Sequence, residues 1–299
     1  MNIISICPNN YNLEQAKGII YWINKDRKTK SFILRLININ NIIVSYFLLI
    51  IYFIFLRWIT FIKFNEKYDY VFVTGKSVVA QSIIIADQLN IPVCSIQKPF
   101  GYPSWLFKFQ IIPTHDWYER SPKNNIHFPI APNTYRFSLN NKRDNIISIL
   151  IGGSLHGKKY NIENIIECIK QVKKNYYKKK INIITSRRTP KILITKINNL
   201  GFSVNDKYGS IKDAYYNSEI ILISDDSFCM ISEAIQSGNM PYIIETGNIG
   251  KRLKLGIKIL EKKDYLQYYN KDIKLKFNLI KDNLLKKINK SIINEFTTV

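Results

Sequence analysis

The sequence has few cysteines, and no two of them are close neighbours. The four cysteines, Cys7, Cys94, Cys168 and Cys229, are far apart and form no CxxC pair. This spacing excludes the usual zinc motifs and a disulfide framework, and it indicates a reducing compartment. The first residues also lack a basic region followed by an apolar segment and a cleavage site, so we predict no signal peptide. We therefore expect a cytoplasmic protein with no metal site.

Acidic residues are scarce as well. The chain has 22 Asp and Glu against 44 Lys and Arg, which gives a net charge of +22. An RNA-binding motif, zinc-finger spacing and a helix-turn-helix signal are all missing, so we predict that nucleic acid is not a partner. The basic residues are spread over the whole chain, and the partner that we favour for them is an anionic membrane surface.

The longest apolar segment covers residues 42–62, and its first fifteen residues carry no charge. A helix that spans a membrane needs about 20 such residues. Three interpretations therefore remain open: a buried core helix, a monotopic helix that enters one leaflet, and a spanning helix. Tyr52, Arg57, Trp58 and Lys63 favour an interface, since aromatic rings and long cationic side chains sit at headgroup depth. We expect a peripheral or monotopic protein on the inner face of the cytoplasmic membrane.

The order of predicted elements indicates an α/β protein. A chain of 299 residues is long enough for two domains. Apolar strands alternate with helical patterns in both halves, which predicts parallel sheets covered by helices. A stretch rich in Pro, Asn and His at 113–143 looks like a crossing between domains. We therefore predict two Rossmann-like domains, 1–140 and 141–299, that face an interdomain cleft, with a helical, Lys-rich C-terminal segment of about 40 residues.

A glycine-rich turn follows the first strand of the second half. Gly152, Gly153 and Ser154 lie between the apolar strand 146–151 and a predicted helix. Backbone amides at such a turn can hold an anion, for instance a diphosphate, and glycine lets the backbone approach the phosphate closely. The alternative is an ordinary turn between a strand and a helix.

Two adjacent arginines follow the next predicted strand. Ser186, Arg187 and Arg188 precede Thr189, a predicted N-cap, and Pro190, predicted at the first helical position. Arginine forks suit a phosphate group, so this turn is a candidate anion site. The alternative is that both side chains are solvated at the surface.

Polar residues also follow the strand at 220–224. Asp225, Asp226 and Ser227 come directly after it, and Glu233 lies about 1.7 turns into the next helix. Asp226 or Ser227 can cap that helix, and Glu233 can accept hydrogen bonds from a ribose diol. The alternative for the aspartates is helix capping alone, and for Glu233 a solvated position.

Histidine is rare, and one histidine has a neighbouring carboxylate. His115 and Asp116 follow Pro113 at the predicted domain junction. Imidazole titrates near neutral pH, so the pair is a candidate general base, with a surface loop as the alternative. His127 and His156 are weaker candidates.

These motifs together resemble the mitochondrial-fission ELM family. The run TSRRTP at 185–190 and the run DDSFCMISEA at 225–234 match its patterns, and IIPTHD and the GGS turn are similar to further family motifs. The resemblance runs from Tyr70 to Ile244. The departures are Cys229 in place of serine, Asn239 and Met240 before the last proline, and the apolar segment 42–62.

That family is similar to GT-B glycosyltransferases, including the membrane-associated N-acetylglucosaminyltransferase of peptidoglycan synthesis. The resemblance implies that Gly153 and Ser154 hold a diphosphate, that Arg187 or Arg188 meets phosphate charge, and that Glu233 binds ribose. The leading hypothesis is a metal-independent glycosyltransferase without a cofactor. It would move a sugar from a nucleotide sugar, such as a UDP-linked one, to an envelope lipid or polysaccharide precursor, with His115 and Asp116 as the base. The alternatives are an epimerase of the same fold and a non-catalytic membrane scaffold.

Overall fold

A computed structural model describes the chain apart from residues 25–27, 61, 117–123, 138–143, 154–159, 206–208, 248 and 281–299, and the side chains of Tyr11, Asn205 and Gly209. The chain divides into two compact units. Unit 1 contains Met1–Thr134, and unit 2 begins at Tyr135. The boundary predicted at 140 and 141 lies outside the described residues.

Unit 1 is built on a parallel sheet of six strands. In sheet order they run β2-β1-β3-β4-β5-β6. Their bounds are β1 Asn2–Cys7, β2 Lys30–Arg35, β3 Tyr70–Thr74, β4 Val93–Ile96, β5 Gln110–Pro113 and β6 Asn125–Phe128. Strands β1, β3 and β4 are almost wholly buried, as expected for a parallel sheet with helices on its faces.

The helices of unit 1 are α1 Asn10–Asn24, α2 Ile42–Ile51 and α3 Val79–Gln88. The N-cap of α2 is Asn41, whose side chain accepts a hydrogen bond from the amide of Ile43 at 2.9 Å. A π-helical turn, Tyr52–Leu56, continues it. The helix predicted for 42–62 therefore ends earlier, before Arg57. Among the described residues, no helix combines the length and apolar character that crossing a membrane requires.

Unit 2 has a second parallel sheet of six strands, in the order β12-β11-β10-β7-β8-β9. The strands are β7 Asp144–Ile151, β8 Lys180–Thr185, β9 Val204–Asn205, β10 Ser218–Ser224, β11 Tyr242–Ile244 and β12 Gln267–Tyr268. Read from β9 across to β12, this is the Rossmann order 3-2-1-4-5-6. The predicted fold class, two Rossmann-like α/β units, is confirmed.

The helices of unit 2 are α4 Ile162–Asn175, α5 Lys191–Asn199, α6 Gly209–Asn217, α7 Phe228–Gln236 and α8 Lys251–Lys262. The prediction of a helix over most of the last 40 residues is wrong for the described part, 263–280. Asp264 adopts a left-handed backbone conformation directly after α8, which ends the helix. The following residues form β12 and place Leu275 in the core of unit 2.

The strand order of unit 2 creates a switch point between β7 and β10. The chain leaves β7 towards β8 and β9 on one side, and it returns to β10 on the other side. Ligands of open α/β sheets bind beyond the carboxyl ends of the strands at such a point. The site motifs predicted in the second half of the chain follow β7, β8 and β10, so the fold of unit 2 brings them to this edge.

Candidate functional site

The switch point joins the glycine-rich turn to the residues after β10. The amide of Gly152 donates to Oγ of Ser224 at 2.8 Å, and the amide of Gly153 donates to Oδ2 of Asp226 at 2.5 Å. Both amides are thus satisfied within the protein. This differs from the prediction that they hold an anion, because the Ser224 hydroxyl and the buried Asp226 carboxylate already accept these two hydrogen bonds. Ser154 and His156 lie outside the described residues.

Close packing explains why both positions are glycine. A Cβ atom on Gly152 would lie 2.4 Å from Oδ2 of Asp226, and one on Gly153 would lie 2.1 Å from the carbonyl carbon of Arg188. No real Cβ atom tolerates such distances. The backbone of Arg188 also cannot move aside as a flexible side chain can. The two glycines therefore let the turns after β7, β8 and β10 meet.

The turn after β8 is fastened to the end of β7 through Thr189. Its hydroxyl accepts from the amide of Ser186 at 3.0 Å and lies within hydrogen-bond distance of the carbonyls of Ile151 and Gly152. Thr189 is therefore not the N-cap of α5, contrary to the prediction. Pro190 occupies the N-cap position, one residue before the first helical turn. The threonine instead sets where the arginines of the turn lie.

The two predicted arginines lie in the turn after β8. Both side chains are exposed. Burial raises the pKa of Asp226, and the hydrogen bond from the Gly153 amide and the charge of Arg188 counteract part of that effect. Burial and the charge of Asp226 raise the pKa of Tyr160, and the charge of Arg188 counteracts a part of this effect. The backbone and Cβ of Arg188 pack against Gly153, so this residue lies at the switch point.

Asp225 fastens another loop to the same edge. Its Oδ1 accepts from the amide of Thr246 at 3.0 Å and from the Thr246 hydroxyl at 2.5 Å. This ties the end of β10 to the residues after β11. Burial raises the pKa of Asp225 to about 6, and the hydrogen bonds from Thr246 counteract part of that effect. Asp225 therefore organises the loops rather than capping α7.

This pKa gives Asp225 a measurable effect on stability. The native pKa lies above the value of about 3.9 expected in the unfolded chain, so the stabilisation is complete below pH 4 and is lost as the pH rises through 6. The loss amounts to about 3 kcal/mol. Asp225→Asn keeps an acceptor for Thr246, and it should remove this pH dependence. Urea unfolding at pH 4 to 7 measures the difference between the two proteins, and a constant difference would contradict the assignment.

Ser227, one of the two predicted caps, is the N-cap of helix α7. The Ser227 hydroxyl accepts from the amide of Met230 at 3.5 Å. Further along α7, the half-buried Glu233 accepts a hydrogen bond from the Tyr215 hydroxyl at 3.0 Å. Tyr215 belongs to α6 and is fully buried, and its hydroxyl also lies 3.2 Å from the carbonyl of Met230. Glu233 is thus held in place by a residue that no motif had indicated.

In unit 1, His115 and Asp116 lie on a short 3-10 turn directly after β5. His115 Nε2 is 3.7 Å from Asp116 Oδ1, and both side chains are largely buried. The predicted pair is therefore brought together in a shielded position. His127 lies on β6 and contacts Thr114, the residue before His115. Its Nε2 atom is 3.0 Å from Oγ1 of Thr114.

No cluster of three or more His, Cys, Asp or Glu side chains suited to a metal ion occurs in the described ranges.

Solved structures with the same fold are known. The UDP-GlcNAc 2-epimerase of Methanocaldococcus jannaschii is 14% identical with a TM-score of 0.53, over 100% of each chain. MnaA of S. aureus, solved with UDP, is 12% identical with a TM-score of 0.52, over 99% of this chain and 96% of that one. MurG of Acinetobacter baumannii gives 10% identity and a TM-score of 0.46, over 99% and 90%. The first two similarities establish a GT-B type of fold.

Sequence comparison gives the family directly. No curated protein matches the sequence. The family described as Mitochondrial fission ELM1 matches residues 56–289, which include every predicted site residue. The resemblance carried by the TSRRTP and DDSFCMISEA runs is thereby confirmed, and the chain belongs to the mitochondrial fission ELM1 family.

Proposed function

We propose that this protein is a glycosyltransferase that moves a sugar from a nucleotide-sugar donor to a cell-envelope lipid or polysaccharide precursor, at the inner face of the cytoplasmic membrane. The observation that carries the proposal is the arrangement at the switch point of unit 2. There the backbone of Arg188 packs against Gly153, the Gly153 amide donates to the buried Asp226, and Asp226 directly precedes the N-cap of α7.

The donor diphosphate is the group that this edge suits best. Arg188 offers a planar fork for two phosphate oxygens, and the dipole of α7 adds favourable charge at the same edge. The amides of Gly152 and Gly153 are already used within the protein. We therefore assign the phosphate contacts to Arg188 and to the start of α7, with Ser186 and Arg187 as neighbouring groups.

Departure of a nucleoside diphosphate needs positive charge at the leaving group. A preorganised arginine and a helix N-terminus can supply that charge without a metal ion. The acceptor hydroxyl needs a base, and we assign this role to His115, with Asp116 positioning the ring. The imidazole would take the hydroxyl proton as the sugar carbon forms its new bond to the acceptor oxygen and the bond to the diphosphate breaks.

Product analysis tests the reaction. The full-length protein is incubated with radiolabelled UDP-sugars and with an envelope lipid extract. A glycosyltransferase yields label in the lipid or polysaccharide fraction, and formation requires the extract. An isomerised donor formed without the extract would instead make the protein an epimerase. Donor binding without either product in any extract, or no donor binding at all, would favour a scaffold.

Glu233 provides a prediction on donor binding. Glu233→Ala removes a carboxylate that we assign to the ribose hydroxyls, and UDP affinity should fall about tenfold. Tyr215→Phe should cause a smaller loss, because it removes only the hydrogen bond that holds Glu233. Isothermal titration calorimetry measures both, with Glu261→Ala on α8 as the control. Undiminished UDP affinity in Glu233→Ala would remove Glu233 from the site.

A further inference from the structure

The outward face of α2 and the following π-helical turn is a continuous apolar stripe. It comprises Ile43, Phe47, Ile50, Ile54 and Trp58, which are between 53% and 85% exposed. The first four follow spacings of four, three and four residues, which place their side chains on one side of the helical segment, and Trp58 follows in the turn after Leu56. Val44, Phe55 and Ile59 are exposed beside them. Soluble proteins rarely leave so large an apolar patch uncovered.

The opposite face of the same segment is part of the core of unit 1. Leu49 and Tyr52 are buried in it, and Tyr46 and Leu48 pack against it. The segment is therefore apolar on both faces, but only one face is used for folding. A helix that served the core alone would carry polar side chains on its outer face.

Both ends of the segment are fastened to unit 1. At the start, the Tyr46 hydroxyl donates to the carbonyl of Gly101 at 2.6 Å, and its ring stacks on Tyr102. At the end, Arg57 bonds to both carboxylate oxygens of Asp87, at 3.2 and 3.0 Å. Tyr52 also donates to Asp87 at 2.7 Å. The segment thus lies flat along unit 1 and cannot swing out without breaking these bonds.

A neighbouring loop extends the patch. Gly101 packs against the side chain of Ile42, which brings the loop to the start of the stripe. This loop exposes Trp105 and Phe100, and the ammonium group of Lys98 lies 5.4 Å from the centre of the Phe100 ring. Exposed tryptophans bordered by lysine are typical of surfaces at the depth of lipid headgroups.

The charge around the stripe fits an anionic partner. The only charged residue between positions 36 and 60 is Arg57, and its ion pair with Asp87 neutralises it. No carboxylate therefore faces a lipid phosphate from the stripe itself, and the chain as a whole carries +22. An uncharged apolar stripe on a strongly basic chain fits an anionic bilayer.

We propose that this face docks flat on an anionic lipid bilayer and inserts the stripe into one leaflet, with Trp58 and Trp105 at headgroup depth. The inference rests on unit 1 alone, and it holds whether or not the proposed transfer reaction takes place. It decides between the three interpretations of the apolar segment in favour of a monotopic one.

Flotation with vesicles tests the docking, with the full chain and without nucleotide. We expect the protein to float with vesicles containing phosphatidylglycerol and to bind pure phosphatidylcholine more weakly. Phe47→Gln with Ile54→Gln should weaken binding by about tenfold for each residue. The matched control is Ile192→Gln with Leu255→Gln in unit 2, since Ile192 and Ile54 are both 59% exposed. The control should bind as the unchanged protein does.

Depth is measured by fluorescence quenching with brominated lipids. Quenching should occur, and it should disappear in Trp58→Phe with Trp105→Phe while Trp22, which is buried in unit 1, still emits. Thermal melting checks that the stripe variants fold. Equal binding of stripe and control variants, or no quenching, would overturn the proposal. It would also be overturned if the protein does not bind vesicles and the stripe variants convert a dimer into a monomer in sedimentation experiments.

Discussion

Replacing Gly153 with alanine is expected to lower the free energy of unfolding of unit 2 by about 3 kcal/mol and to abolish nucleotide binding. The new Cβ atom would lie 2.1 Å from backbone atoms of Arg188. The turn after β8 would have to move away from the end of β7, and the guanidinium would leave the switch point with it. Urea unfolding and calorimetry with UDP measure the two effects.

Gly18 offers a matched control in unit 1. A Cβ atom there would lie 2.5 Å from the carbonyl oxygen of Asn133, so Gly18→Ala also introduces a clash with backbone. It should destabilise unit 1 and leave UDP affinity unchanged at temperatures where the protein is folded. If Gly153→Ala folds normally and binds UDP as tightly as before, nucleotide binding does not require the close approach of these turns.

The second large effect is expected for Arg188→Ala. Loss of a bidentate contact with the diphosphate should reduce UDP affinity by about 100-fold, which corresponds to about 3 kcal/mol. Stability should change little, because the side chain is exposed. Arg188→Lys should give an intermediate loss, because the charge remains while the fork is removed.

Arg187→Ala is the matched control for this prediction. The two residues are adjacent, exposed and of the same charge, but it is the backbone and Cβ of Arg188 that pack against Gly153, next to Asp226. We expect a loss of affinity of no more than about threefold in Arg187→Ala, from reduced long-range attraction. The opposite ranking, with the larger loss in Arg187→Ala, would move the phosphate site away from the switch point.

Much of the fold could be predicted because parallel strands buried on both faces form continuous apolar runs. The runs at β3, β7 and β10 have this form, and each is followed by a turn and a helical pattern. Strands β2, β6 and β12 were not predicted. β2 lies at the edge of its sheet and is almost wholly exposed, β6 lies in a stretch rich in proline and asparagine, and β12 lies in the segment predicted to be helical.

The candidate site was predictable in its position but not in its internal contacts. Residues that follow parallel strands must meet at one edge, which places Arg188 and Ser227 at the same edge from spacing alone. The bond between Gly153 and Asp226 joins residues 73 positions apart, and no pattern in the sequence indicates it. The same holds for Tyr215, whose hydrogen bond to Glu233 depends on how α6 packs against α7.

The apolar segment shows a different limit. Its composition alone fits a core helix, a spanning helix or a monotopic helix. Only the packing of Leu49 and Tyr52 and the ion pair between Arg57 and Asp87 show which face is held and which is exposed. Asp87 belongs to α3, and many of the core residues in the same cluster as Leu49 and Tyr52 lie far from the apolar segment in the sequence. The sequence of the segment alone therefore does not reveal these contacts.

A thermal-shift screen with nucleotide sugars tests the central claim most directly, namely that the switch point of unit 2 binds a nucleotide-sugar donor. A donor at 100 times its dissociation constant should stabilise the protein by about 2.7 kcal/mol, which is a clear rise in the unfolding midpoint. We expect at least one UDP-sugar to raise the midpoint, and we expect Arg188→Ala to remove that rise while Arg187→Ala keeps it. If no nucleotide sugar raises the midpoint, or if the rise survives in Arg188→Ala, the claim is contradicted.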